Sequence, residues 1–584
     1  MPSALRLRSL FCLVSCALCL ITSVTAKAAP LELIPREAGL LIAIEQPRKL
    51  AEAVRDLDAY QSAGKSLPSV REFYDSTPAR RFFQLVTFAE KELGVKWPDL
   101  LERTAGGGIA IGAVVGTDPA PVLLVARGTD ENATAEVFAL FLRVVEEESA
   151  RQANAESKAK LRKATHRGVD TFHLGDDFHA ARVGPNVFLA NKAEALHAGL
   201  KLAVARNPGG SLADRPEPIA AKKLIGGDPF AWLWFDLAAA KSTKASMDFF
   251  ANSRKDFVQT MAAGTTIDSV RRSDFVAVGL SPSPGGFAFT VRMPAKRADL
   301  PPEFSLHVPP PGTSGSLPLL EPPGVLYSQS FYLDFAAFWA NRAKIINAQQ
   351  LKDIEKAERD ISRVLPGTTL AKLFAQSGPY HRFVMAHNDE KLYPGEPIQP
   401  IPPFAFVSTF RDPAFAKGAT NALRAGGLLA STQLKLSMKQ EAVDGVTIVS
   451  YRYPDVSPYP DGDTENYRFN FVPAFAIVGD NLVVSSRPSL VKTLIPILKQ
   501  KPDPAKCSPE VWRAKVYANG FGDVMKAYPE QTITATILNE GVGLEQARKQ
   551  VTDLIGWLRT LGTVEIALDH QTSGYLVRVE WKTK

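Results

Sequence analysis

From residue 39 onward, short apolar runs alternate with amphipathic stretches, and the series occurs twice in the same order. The first pass opens with Leu40-Leu41-Ile42-Ala43-Ile44, a strand pattern, and leads past Pro47 into the helical Leu50 to Val54. The second opens with Val325 to Leu333 and leads into Phe335-Ala336-Ala337-Phe338-Trp339. A leucine-bearing helix end and a hairpin follow in each. In the first half these are Trp97 to Leu101, then Gly106 to Val115 with Val122 to Val125. In the second they are Thr369 to Leu373, then Arg382 to Met385 with Phe404 to Val407. A helix comes next: Asp130 to Glu148 carries Val137, Leu140, Phe141, Val144 and Val145 on one face, and Asp412 to Leu429 takes the matching place.

The correspondence then tightens. Three short strands are predicted over Ala164 to Leu174, Phe178 to Val183 and Val187 to Ala190. Their counterparts are Gly445 to Tyr451, Tyr467 to Phe471 and Leu482 to Ser485. His166-Arg167-Gly168-Val169 matches Val443-Asp444-Gly445-Val446 as a turn, and Gly184-Pro185-Asn186 matches Gly479-Asp480-Asn481. A helix (Ala193 to Ala203; Ser489 to Leu498), a strand (Phe230 to Phe235; Ala514 to Tyr517) and a closing hairpin complete each half. The hairpins are Phe275 to Leu280 with Phe287 to Val291, and Val564 to Leu568 with Tyr575 to Val579. Hairpins with polar Gly/Asp/Asn turns imply an α+β fold of two similar, mainly antiparallel units from an internal duplication. Between them, Pro301-Pro302, Pro309-Pro310-Pro311 and Pro322-Pro323 favour extended backbone. The expected organisation is a signal peptide over 1–28, a first unit over 29–293, a proline-rich linker over 294–324 and a second unit over 325–584.

The N-terminus changes the picture of compartment. Arg6 and Arg8 precede an apolar run from Leu10 to Val24, and Val24-Thr25-Ala26 places small side chains at the −3 and −1 positions. This predicts a secretory signal and an exported protein: periplasmic, surface-held or secreted. An uncleaved anchor and a lipid-modified Cys16 in Leu13-Val14-Ser15-Cys16 are the alternatives. No transmembrane segment is expected in the mature chain. Cys12, Cys16 and Cys19 fall inside the signal, which leaves Cys507 without an internal disulfide partner. Stability must then come from a large packed core. Cys507, between Pro504 and Pro509, has no local base or electropositive setting and reads as a bystander.

Composition narrows the classes further. The formal charge of +7 becomes +5 once Arg6 and Arg8 are removed, and both signs are interspersed. The basic clusters Lys158 to Lys163 and Arg271-Arg272 are not interleaved with stacking aromatics, so nucleic-acid binding is not expected. The partner expected is an unknown protein or envelope component.

Catalytic and cofactor motifs mostly fail on context. Gly64-Lys65-Ser66 lacks the first glycine of a phosphate-binding loop and sits in a helical pattern. Gly106-Gly107-Gly108 enters a strand rather than a helix, so no dinucleotide site forms, and close backbone packing explains it. There is no Gly-Xaa-Ser-Xaa-Gly elbow and no His-Glu-Xaa-Xaa-His helix. The candidates that remain are metal ligands. In Phe172 to His179, a turn at Gly175 to Asp177 makes His173 and His179 cross-strand partners, with Asp177 or Asp176 as a third ligand. Against this, turn carboxylates point away from the strands. Asp461-Gly462-Asp463-Thr464-Glu465 resembles the start of a Ca²⁺ loop, but Asn466 and Val472 stand where glycine and glutamate are needed. No cofactor is expected.

The segments Pro35-Arg36-Glu37-Ala38-Gly39-Leu40-Leu41 and Thr104-Ala105-Gly106-Gly107-Gly108-Ile109-Ala110, behind an export signal, resemble a large class of bacterial exported proteins known only as carrying a domain of unknown function. The resemblance implies α+β repeats and an envelope location, and carries no catalytic residues. The expected function is therefore a non-enzymatic binding or scaffolding body. The alternative is an exported hydrolase whose site is assembled from residues distant in sequence.

Overall fold

The computed structural model describes residues 29–583, apart from 153–159, 206–208, 253–256, 365–368, 389, 456–462 and 464. The expected signal segment lies outside the described residues. The chain divides into two compact units: residues up to 248 with 272–294, and residues 249–271 with 295–584.

The first unit is built on strands β1 (Leu40–Ile44), β2 (Ile109–Ala113), β3 (Val122–Arg127), β4 (Arg162–His166), β5 (Val169–Leu174), β6 (Phe178–Val183), β7 (Asn186–Ala190), β8 (Ala231–Asp236), β9 (Phe275–Ser283) and β10 (Gly286–Met293). All pairings are antiparallel, in the order β10-β9-β8-β1-β2-β3-β7-β6-β5-β4. Alternation sorts the two faces. Leu41, Ala43, Ala110, Leu123, Val125, Phe188, Trp232 and Trp234 share a core with Leu196 and Leu200 of helix Ala193–Val204. The opposite face packs Ile109, Leu124 and Ala126 on helix Trp97–Ala105, and Ala180 and Val187 on helix Glu131–Gln152.

The second unit carries β11 (Val325–Tyr332), β12 (Ser377–Ala386), β13 (Phe404–Phe410), β14 (Ser437–Val443), β15 (Val446–Arg452), β16 (Ala474–Val478), β17 (Asn481–Ser485), β18 (Trp512–Tyr517), β19 (Thr563–Gln571) and β20 (Gly574–Lys582). Its order is β20-β19-β18-β11-β12-β13-β17-β16-β15-β14, again antiparallel throughout. This repeats the first unit strand for strand. Val384, Ala386, Ala405, Val407 and Val483 pack under Leu490, Val491, Leu494 and Leu498 of helix Pro488–Lys499. The class is therefore α+β, with helices laid on antiparallel sheets.

Turn chemistry fixes the shared registers. Arg167 and Gly168 both have positive φ (52° and 79°), as do Asp444 and Gly445 (49° and 75°). These are the two-residue turns whose twist matches a hairpin. Gly107 holds a close approach of another kind: a Cβ there would lie 2.8 Å from the Arg127 carbonyl oxygen.

Three expectations meet a different arrangement. Tyr467 to Phe471 reads as a strand because its aromatics alternate, yet Tyr467–Asn470 is a 3-10 turn and the strand is β16. Asn466 at φ 55° and the Arg468–Asp463 ion pair (2.6 Å) turn the backbone there. Residues 294–324 are not a free linker, for Phe304, Leu306 and Leu320 are buried in the second unit. Residues 249–271 group with that unit as well: His307 Nε2 donates to the Met261 carbonyl (2.6 Å), and Thr266 shares a hydrogen bond with Tyr575 Oη (2.9 Å).

Candidate functional site

The β5–β6 hairpin places His173 directly opposite His179, with ring centroids 6.2 Å apart. The third ligand does not join them. Asp177 faces Lys192 (3.9 Å), and His179 Nε2 donates to the Asp176 carbonyl (3.1 Å). A second pair went unseen in the sequence: His166 on β4 stacks on His197 of the 193–204 helix, centroids 3.8 Å apart. Burial first, then the neighbouring His166 and His179, hold His197 below the usual imidazole range. Among the described residues no group of three or more His, Cys, Asp or Glu is placed to hold a metal ion. Of the acidic loop, Asp461, Gly462 and Thr464 lie outside the described residues. Asp463 accepts from the Tyr467 amide (2.7 Å) and pairs with Arg468.

The second unit has a more developed site. Arg513 on β18 stands opposite Ser330 on β11, and Ser330 stands opposite Arg382 on β12. The three form one cross-strand row on a single face, with the two arginine backbones about 10 Å apart, two strand spacings. The row borders a cavity of about 570 Å³ lined by Arg382, Arg513, Cys507, Lys501 and Asn481, with Leu320 and Leu498 on its apolar side. Such a volume suits a small organic ligand.

Arg382 is 6% exposed. Among the described residues its hydrogen-bond partner is neutral, Asn481 Oδ1 at 2.9 Å, and no carboxylate pairs with it. Burial pushes its guanidinium down to about 10, and nearby Cys507 opposes that shift. Arg513 is held by Ser316 Oγ (3.1 Å) and the carbonyls of Leu317 (3.0 Å) and Lys506 (3.1 Å), and burial lowers it too. Ser330 Oγ, fully buried between the arginines, has no hydrogen-bond partner. Buried charges are ordinarily paired and buried hydroxyls bonded. Cys507, which lacks an electropositive setting in its local sequence, lies within electrostatic reach of both guanidinium groups.

The other face of β12 holds a nucleophile–base pair. Ser408 Oγ donates to His381 Nδ1 (2.8 Å), and His381 Nε2 donates to the Leu333 carbonyl (3.0 Å). That is the tautomer a general base needs. Yet His381 is 1% and Ser408 9% exposed, and Phe331, Phe335 and Phe406 surround the imidazole. Burial holds His381 down to about 4, where it is a poor base at neutral pH.

No protein-family model matches the chain, and no curated protein matches its sequence. Solved structures of TP0453 are similar in part. Crystal form I gives a TM-score of 0.23 at 10% identity, covering 47% of this chain and 82% of that one. Crystal form III gives 0.21 at 7% identity, covering 46% and 81%. A likeness this slight carries no argument about fold or function. Among the described residues no helix is long and apolar enough to cross a membrane.

Proposed function

We propose that the chain is an exported binding body, of duplicated origin, whose second unit takes a small molecule into the cavity beside Arg382. The observation that carries this reading is the row Arg513–Ser330–Arg382, in which Ser330 and Arg382 are buried and the two arginines line a cavity of ligand size. Export is supported by Arg6, Arg8, the apolar run and Val24-Thr25-Ala26. Duplication is supported by the identical strand order of the two units. Kinship with the bacterial exported proteins of unknown function rests on the Pro35–Leu41 and Thr104–Ala110 segments alone.

Ligand-observed NMR with a mixture of small metabolites tests the binding reading. Saturation transfer to some components of the mixture, lost when a bulky side chain fills the cavity in Leu498→Trp, is expected; no transfer to any component overturns it. N-terminal sequencing of the exported protein should show a start near Lys27 or Ala29, and an intact Met1 in the envelope fraction overturns cleavage.

The hydrolase reading has one specific observation, the Ser408–His381 pair. A fluorophosphonate probe that labels the native chain but not Ser408→Ala would establish it. The burial of both side chains predicts no labelling.

A further inference from the structure

Resting on that binding reading, we infer that the cavity of the second unit selects an oxyanion, a carboxylate or phosphate group carried on a body with an apolar part. Charge balance is the first ground. Around the cavity, Arg382, Arg513, Lys501 and Lys506 face two carboxylates, Glu321 and Asp503. Glu321 pairs with Lys515 (3.4 Å) and Tyr517 Oη, and Asp503 accepts from the Ala505 amide (3.0 Å). Cations thus outnumber carboxylates in the cavity wall by two to one. Arg382 has only the neutral Asn481 as a hydrogen-bond partner among the described residues, whereas Arg513, bonded to Ser316 and two carbonyls, also lies within electrostatic reach of Glu510, Glu565 and Glu321.

Geometry is the second ground. Arg382 and Arg513, two strands apart in one cross-strand row, both line the cavity. Arg382 spends Nη2 on Asn481 Oδ1 and Arg513 spends Nε and Nη2 on Ser316 Oγ and the Leu317 and Lys506 carbonyls, and the other guanidinium N–H groups remain for a ligand. Guanidinium donors match carboxylate and phosphate oxygens in pairs, whereas a neutral ligand leaves the buried Arg382 charge uncompensated. Leu320, Ile497 and Leu498 give the same cavity an apolar wall for the rest of the ligand.

The third ground comes from the equivalent row of the first unit. Counting from the shared Asn186 and Asn481 turns, Trp232–Ala43–Ala110–Val125–Phe188 corresponds to Arg513–Ser330–Arg382–Val407–Val483. The first unit fills this row with core side chains, so the fold itself has no need of cations there.

The test uses the mature chain at constant ionic strength, with inorganic phosphate, hexanoate and neutral hexanol as probes. Carbamidomethylation of Cys507 by iodoacetamide, an uncharged reagent, reports occupancy at the cavity wall. Phosphate or hexanoate should slow this reaction at least tenfold at saturation, and hexanol should not. Protection by phosphate alone marks a free inorganic anion, and stronger protection by hexanoate marks an organic carboxylate. In Arg382→Met the concentration for half protection should rise at least tenfold. Arg382→Lys, which keeps the charge but loses the fork, should fall between. Equal protection by hexanol and hexanoate would overturn the anion inference while leaving the binding reading standing. No protection by any probe in the native chain would overturn the anion inference, and the metabolite NMR experiment then judges the binding reading separately. Unchanged protection in Arg382→Met would show that the anion sits elsewhere.

Discussion

At the scale of single residues, two histidines of the second unit set a pH dependence. His307 and His381 are both held down to about 4, chiefly by burial. In the unfolded chain each titrates at about 6.5. Between those values the unfolded state binds protons that the folded state refuses, so stability falls as pH drops from about 6.5 toward 4. A tenfold change in proton affinity is worth about 1.4 kcal/mol, so each site contributes at most about 3.5 kcal/mol. Urea unfolding at pH 7 and pH 4.5 should show this loss, and the His307→Gln, His381→Gln double variant should lose less between the two pH values than the native chain. An equal loss in both would place the acid sensitivity elsewhere. Neither histidine announced this role in the sequence. A buried imidazole is defined by what packs on it, and His381 meets Phe331, Phe335 and Phe406 only through the sheet and its covering helix.

At the scale of elements, what sequence reveals depends on whether the determining residues are neighbours. The turns at Arg167-Gly168 and Asp444-Gly445 were legible because they need positive φ at two adjacent positions, but Ala164 to Leu174, read as one strand, is the two strands β4 and β5, and β14 was not anticipated. The β5–β6 pairing of His173 with His179 followed from the short turn at Gly175 to Asp177, with positive φ at Gly175. Tyr467 to Phe471 misled because alternating aromatics mimic a half-buried strand, while the side chain that bends the segment, Arg468, acts through an ion pair. The proline-rich stretch misled differently: it forms short 3-10 turns at Arg297–Asp299 and Pro302–His307, and Phe304, Leu306 and Leu320 still gain from burial. The turn argument gives a prediction. Gly445 has open space around its Cβ position, so Gly445→Ala meets no clash and isolates the cost of positive φ. A loss of about 1 kcal/mol in chemical denaturation is expected. A loss below a few tenths of that would mean the hairpin relaxes to another turn.

At the scale of the whole molecule, the two units run one strand order with different demands on a single row. The repeat was visible in the sequence because it is carried by apolar runs and turn residues in series. The candidate site was not, since Ser330, Arg382 and Arg513 lie far apart along the chain and meet only through the β18–β11–β12 pairings. Each stands in its own strand with nothing local to tie it to the others, and Cys507, judged on its local neighbours, looked inert. The contrast between units separates stability from function. A buried guanidinium without a counter-charge loses its hydration and regains little, so replacing it with an apolar side chain of similar length should not destabilise the fold. Arg382→Met is therefore expected to leave the unfolding free energy unchanged or raise it by up to about 2 kcal/mol. The reverse change in the first unit, Ala110→Arg, forces a charge among Leu41, Val125 and Trp232. It is expected to cost about 3 kcal/mol or more. Urea denaturation of both variants beside the native chain decides the matter. A large loss in Arg382→Met would make the guanidinium part of the scaffold. A neutral or stabilising result, joined to the loss of anion protection at Cys507, leaves ligand capture as the reason a cation occupies a position that the first unit fills with alanine.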